Sequence, residues 1–452
     1  MAAVSPAAVV TAKQDKRPMC KYGEKCYRKN PNHLREYRHP NKPESEEQQS
    51  QNDQDNTEPS SKKPKLDPHK TGSISDDDDD DDVSRESGKT SDDAKQQDES
   101  VPGTSGESSK PVNEESQDKC EEELTLTPPP SPEDIKDNIR EKFLFDMPDD
   151  FYELWKFCEA THPENPTNCF SDVLGFQLVG PFDILAGKHK QLNGKNSKGR
   201  YPNYLIHWRY YLDPPEFQTV IRGNDTTQFH LGYFRDVPTE APVFVAANSA
   251  KEGPAIIPRG ENLFAALSFY LGENIKSKKL FKPKQPAALQ LQSDLTEWAK
   301  KLNFNLELKT KSMKERDKKT VCKAFHGAGI VVKLDKNEVG YRPIPETPAA
   351  LKKMFQKILD SKTEEDRNQN FEPLQELMTL IQFANDECDY GEGLELGINL
   401  FCFGGDIFNS TIQFLLPLAY QLLQHPQFSQ IITEHLKHRK MSALPHELNE
   451  LN

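Results

Sequence analysis

The chain has 452 residues and a formal net charge of −14, and its mean hydropathy is −0.82. That is polar for a globular protein of this length, and long disordered stretches explain it better than an unusual fold does. No apolar run approaches the roughly 20 residues of a membrane span, the start MAAVSPAAVV lacks the basic and apolar regions of a secretory signal, and most of the eight cysteines show no paired spacing. A membrane protein and a secreted disulfide scaffold are therefore not expected, and a reducing, intracellular compartment is.

The first element, after a disordered 1–17, is the run CKYGEKCYRKNPNHLREYRHP beginning at Cys20. Five residues separate Cys20 from Cys26, six separate Cys26 from His33, and five separate His33 from His39. Two thiolates and two imidazoles form the tetrahedral N/S shell that structural zinc prefers. A stretch this short cannot bury a core, so metal binding has to supply its folding free energy. The DNA-reading finger places about twelve residues between its second Cys and first His, which this spacing does not. The pattern C-x-[FY]-G-x-x-C-x-R, then H, then H-P, resembles the poly(ADP-ribose)-binding zinc finger family, with Tyr22, Gly23, Tyr27, Arg28 and Pro40 at matching positions. The resemblance implies a zinc finger over 18–40 in which Cys20, Cys26, His33 and His39 hold Zn. It also implies that Tyr22 and Tyr27 stack on adenine and that Arg28 contacts the polymer backbone. Both contacts are chemically sound, since a base offers a π-face and a guanidinium forks onto phosphate.

Residues 41–131 read as a disordered acidic linker. They contain no Phe, Tyr or Trp and cannot bury enough apolar surface to offset chain entropy. Lys62, Lys63 and Lys65 form a cluster that reads as a nuclear-import signal. The run Asp76 to Asp82 repels itself and stays extended, as an interaction tail for a basic partner or as a solubilising spacer. Ser73 and Ser75 precede it as candidate kinase sites, and Thr127-Pro-Pro-Pro-Ser-Pro is a stiff exit.

Residues 132–452 carry the folded part. It opens with Phe151, Leu154, Trp155 and Cys158 at helical spacing. The segments FQLVGPFDIL, NYLIHWRYY, FQTVIRG, HLGYFRD and PVFVAANSA follow, short and β-branched or aromatic, and predict antiparallel strands. From Asn262 the pattern turns helical, in NLFAALSFYLGENI, LQLQSDLTEWAKKLNF, LKKMFQKILDS, EPLQELMTLIQFANDE and TIQFLLPLAYQLLQ. Strands followed by helices predict an α+β fold, with an antiparallel strand-rich lobe followed by a mostly helical lobe.

No glycine-rich phosphate loop, nucleophile elbow or H-E-x-x-H motif is present. One stretch stands out, FANDECDYG from Phe383. The helix before it is expected to bury Leu374, Leu377, Ile381 and Ala384 and to stop near Asn385, ahead of a glycine-containing, acid-rich loop. Asp386 and Glu387 then lie at a helix C-terminus, where the macrodipole and neighbouring carboxylates raise proton affinity, as a general base needs. On spacing alone, an acidic surface loop explains these residues better.

The strings GYRPIPETP (Gly340 to Pro348) and FANDECDYGEGLELG (Phe383 to Gly397), with the WRYY and HLGYFRD segments and the helical end, resemble the histone PARylation factor family. The resemblance covers about Pro132 to Leu444, and some invertebrate-type members carry the zinc finger ahead of the shared domain. It implies a nuclear protein, at chromatin and DNA damage sites, that binds DNA-damage-activated poly(ADP-ribose) polymerases and completes their active site. Glu387 would take the proton from an acceptor serine of histones, because a serine hydroxyl is a poor nucleophile until a base removes its proton. Asp386 would shape the joint site. Tyr341 and Arg342 would dock onto the polymerase, with Arg342 pairing a carboxylate. Phe371 and Phe383 would support the site and interface, or be plain helix core. NAD would be held by the polymerase, and the chain, monomeric by itself, would have no turnover alone. Two other classes remain open here. One is a poly(ADP-ribose)-binding chromatin adaptor, in which Glu387 is dispensable. The other is a freestanding hydrolase using Asp386, Glu387, Asp389 and Glu392, with or without a metal.

Overall fold

Asp134 accepts hydrogen bonds from the backbone N–H groups of Lys136 and Asp137, satisfying two of the donors that a helix start leaves open. It thereby begins α1, Ile135–Phe143. The computed structural model describes residues 17–20, 37–38, 131–190, 201–277 and 284–440. The expected linker as far as residue 130, with its lysine cluster and aspartate run, lies outside the described residues, as do Tyr22, Cys26, Tyr27, Arg28, His33 and His39.

Next come α2 (Asp149–Thr161), a 3-10 turn, α3 (Ser171–Leu174), the short β1 (Gln177–Leu178) and α4 (Pro181–Leu185). Helix α2 buries Phe151, Leu154, Phe157 and Cys158. Strands β2 (Phe217–Arg222), β3 (Phe229–Phe234), β4 (Phe244–Ser249) and β5 (Ile257–Pro258) complete a five-stranded sheet in the order β1-β2-β3-β4-β5, every pairing of it antiparallel. Phe217 faces Phe234, which faces Phe244 in turn. The central strands are buried along nearly their whole length.

The rest is helical apart from one hairpin. In order come α5 (Leu263–Lys276), α6 (Gln285–Lys301), α7 (Lys311–Asp317), the hairpin β6 (Thr320–Cys322) and β7 (Ile330–Val331), α8 (Pro348–Leu359), α9 (Glu364–Asp386), α10 (Gly391–Phe403), α11 (Asn409–Leu422) and α12 (Pro426–His438). The expected α+β order is thus present, with the sheet first and the helices after it. One hydrophobic cluster runs through both, from Ile139 to Leu436. A smaller one lies around Phe217, Phe234, Phe244 and Met313. Among the described residues no helix is long and apolar enough to cross a membrane.

Three expectations are corrected. The second half of FQLVGPFDIL is helix α4: Pro181 stands at its first turn and the Asp183 carboxylate accepts from the Gly180 N–H. Within NYLIHWRYY no strand forms, because buried side chains hold that stretch to its neighbours in place of a ladder. Arg209 donates to the carbonyls of Leu205, Pro214 and Phe217. Finally, the acid-rich loop after α9 ends at Tyr390, and the glycines beyond it belong to α10. There a Cβ on Gly397 would come within 2.4 Å of Leu416, so the residue is glycine for helix packing and not for a turn.

Candidate functional site

Helix α9 starts at Thr363, whose side chain accepts from the Asp366 N–H, and it buries Leu374, Leu377, Ile381 and Ala384 as the spacing predicts. Beyond the Glu387 N–H, which donates to the Phe383 and Ala384 carbonyls, its last turn closes through the Asp389 N–H on the Ala384 carbonyl at 2.9 Å and the Cys388 N–H on the Asn385 carbonyl at 3.1 Å. Between them Cys388 takes φ 65°, the left-handed turn with which many helices end. This cap reverses the chain. Glu387 is left at the rim, Asp389 is folded underneath, and Glu392 enters the first turn of α10.

A second segment lies across this corner. The Gly340 N–H donates to Asp389 Oδ1 at 3.0 Å, and the Gly391 N–H donates to the Gly340 carbonyl at 2.9 Å. Gly340 has φ 138°, and a Cβ there would lie 2.7 Å from the Lys333 carbonyl, so only glycine fits. The next residue, Tyr341, donates its hydroxyl proton to Glu395 Oε2 at 2.8 Å.

Arg342 then enters the corner. Its Nη1 donates to Glu387 Oε2 at 3.0 Å and its Nε donates to Glu392 Oε2 at 3.1 Å, while Asp389 Oδ2 lies 3.5 Å from Nε. The side chains differ in depth, with Glu387 13% exposed, Asp389 4% and Glu392 1%. Burial pushes the Glu392 carboxyl up to about 8, against the pull of Arg342 and with Asp389 and Glu395 adding to it. Burial also raises Glu395. The Cys322 thiol beside it is pushed up to about 12, by burial first and by the Glu395 charge second.

The expected site residues thus fall into two groups. Tyr341, Arg342 and Glu387 are brought together. Asp386 is exposed at the end of α9, and Phe383 is half-buried one turn earlier. Phe371 lies far back along α9, its ring 6.3 Å from that of Phe408. Sequence reasoning placed Asp389 and Glu392 only in the hydrolase alternative, gave no role to Glu395 and left Glu392 in a loop. The only signal for Glu392 was its position behind Gly391 at the head of an apolar run. Among the described residues no group of His, Cys, Asp or Glu is arranged to hold a metal, and Arg342 occupies the place between the carboxylates where a hydrolytic metal would sit.

In the Cys/His run, Cys20 is buried. Its N–H donates to the Arg38 carbonyl at 3.1 Å, and the Arg38 N–H donates to the Pro18 carbonyl at 3.0 Å. This pairing brings the first expected ligand beside the residue preceding the last, which fits one ion closing the run.

Comparison with known proteins gives the family of the chain. The family model of Histone PARylation factor 1 matches residues 134–439, and that of the PBZ domain matches residues 17–42. Histone PARylation factor 1 of Bos taurus is 47% identical over 330 residues, covering 73% of this chain and 92% of the relative. The protein of that name from Mus musculus is 48% identical over 307 residues, covering 68% and 87%, and that from Danio rerio is 49% identical over 313 residues, covering 69% and 88%. The chain belongs to the histone PARylation factor family.

Proposed function

We propose that this chain is an accessory factor of ADP-ribosylation which joins a DNA-damage-activated poly(ADP-ribose) polymerase and lends it Glu387 as a general base. The observation that carries this reading is the placement of Glu387. It is a partly exposed carboxylate at a helix end, held 3.0 Å from Arg342 in a segment stitched to the same corner. The Glu387 carboxylate takes the proton of an acceptor serine in a histone. The serine oxygen forms its bond to C1″ of the NAD ribose, and nicotinamide leaves with the electrons of the broken bond. NAD is held by the polymerase. Arg342 Nη1 holds the Glu387 carboxylate in an ion pair at 3.0 Å, so docking has to draw Arg342 towards a carboxylate of the polymerase. Tyr341, Asp386, Phe371 and Phe383 contribute to the docking surface.

In this reading the run from Cys20 to His39 is a zinc-held module. Cys20, Cys26, His33 and His39 hold the ion, which supplies the module's folding free energy, and Tyr22, Tyr27 and Arg28 bind poly(ADP-ribose). The module keeps the factor near new polymer on nuclear chromatin, and the tether between the two parts raises the local concentration of the second.

The test is mass-spectrometric mapping of histone ADP-ribosylation by a DNA-activated polymerase, with the unmutated chain, with Glu387→Ala and with neither. Serine linkage is expected only with the unmutated chain, with a loss of about 100-fold or more in Glu387→Ala. Equal serine modification by the variant would remove the base assignment and leave an adaptor that binds polymer and chromatin.

A further inference from the structure

One guanidinium faces three carboxylates in the corner between α9 and α10, and the three are not equivalent. Glu387 is at the rim. Asp389 is engaged on its other oxygen by the Gly340 N–H. Glu392 is the deepest, its side chain 1% exposed, and it is the residue that engages Arg342 Nε at hydrogen-bond distance, at 3.1 Å. The same guanidinium reaches Glu387 through Nη1. A guanidinium fixed at Nε by an acceptor on a helix has its Nη1 direction fixed as well, because the group is planar and rigid.

We propose that Glu392 is the positioning residue for Glu387, holding Arg342 by its Nε and, through its own charge, governing how tightly Arg342 grips the base. The proposal rests on the role given to Glu387 above and adds to it a control that lies within this chain. A protonated Glu392 leaves the arginine's charge to Glu387, and the base is held. An ionised Glu392 shares that charge, and the base is loosened before any partner arrives. The groups facing Glu392 are Arg342 from the docking segment, Glu387 and Asp389 from the helix cap, and Glu395 from the next turn of α10, which Tyr341 and Cys322 contact in turn. Burial pushes the Glu392 carboxyl up to about 8, so the change falls close to neutral pH. The ionised fraction then rises about tenfold between pH 7 and pH 9.

The decisive measurement needs no polymerase. The Nε–H resonance of Arg342, assigned with Arg342→Lys, is followed by NMR from pH 6 to pH 10 in the full chain and in Glu392→Gln. A transition near pH 8 is expected in the unmutated chain and none in the isosteric variant, while Glu392→Asp, which keeps the charge, is expected to restore one. A transition that persists in Glu392→Gln, or is missing from the unmutated chain, overturns the proposal. In the second measurement, serine ADP-ribosylation at saturating factor is expected to give a ratio of unmutated chain to Glu392→Gln that climbs by up to about tenfold from pH 7 to pH 9. A flat ratio, while Glu387→Ala is inactive, also overturns it. If Glu387→Ala is instead fully active, the base assignment fails, and the resonance alone decides whether Glu392 controls the arginine.

Discussion

Arg209, in the sheet region, and Arg342, in the helical region, are both buried, at 3% and 6% exposure, yet their surroundings carry opposite information. Arg209 donates Nε to the Leu205 carbonyl, Nη1 to the Pro214 and Phe217 carbonyls and Nη2 to the Gln218 side chain. All four acceptors are neutral. The neighbouring Asp213 is satisfied in the same way, by the Tyr210 N–H, the Thr219 hydroxyl and His230, and the Tyr210 and His230 rings stack at 3.8 Å. Around Arg342 three carboxylates, of Glu387, Asp389 and Glu392, lie within 3.5 Å of one guanidinium. The first network is closed, and its function is to hold the chain in one path. The second is built of ionisable groups, so protons and partners can change it.

Breaking the closed network is expected to have the largest effect. Arg209→Met leaves three buried carbonyls without their donor and should cost about 3–5 kcal/mol in denaturant unfolding at pH 6. A loss below about 1 kcal/mol would mean that the stretch from Asn203 to Tyr211 is held by something else. Arg342→Met should behave differently. The carboxylates left behind stay protonated to remain buried, so their folded-state pKa values rise above the unfolded ones. The folded state then binds more protons, and stability falls as pH rises. We expect a loss of about 1–2 kcal/mol at pH 5, growing to about 3–4 kcal/mol at pH 8. A loss equal at the two pH values contradicts that expectation.

The smallest effect sharpens the comparison with a carboxylate that stands alone. Asp150, on α2, accepts from the Tyr233 hydroxyl at 2.7 Å and from the Leu263 N–H at the start of α5 at 2.8 Å. Burial nonetheless pushes it up to about 6. A folded pKa above the unfolded value near 3.9 means that stability falls between about pH 4 and pH 6 and stays lower above that range. Asp150→Asn keeps an acceptor and removes the charge, so the fall of about 1–3 kcal/mol across that window should flatten in thermal melts. An unchanged slope would assign the pH dependence to other groups.

How much of this was legible in the sequence depended on how local the cause was. The buried face of α9 could be read from Leu374, Leu377, Ile381 and Ala384, since those residues follow the period of the helix itself. Strands β2, β3 and β4 were legible from their own β-branched and aromatic residues. Helix α10 was not, because Gly391, Gly393 and Gly397 look like loop residues until the elements packed against them are seen. The stretch around Arg209 looked like a strand because aromatic and β-branched residues suit any buried extended chain, and its side-chain anchors cannot be seen in a window of ten residues. In the candidate site, a helix end with acidic residues was readable. The Arg342 contact with Glu392 was not, since fifty residues separate the partners and only the fold brings them together.

The two hydrogen bonds that tie Gly340 to the Asp389 carboxylate and to the Gly391 backbone have a mechanical consequence. They rivet the segment from Gly340 to Arg342 to the helix cap at a single corner, so the two cannot slide past each other without breaking both bonds. A pull on Tyr341 is therefore delivered to the corner that holds Glu387 at short range, as through a stiff hinge pin, and little of it is lost in slack chain. A corner built this way turns a load on one segment into torque on the other.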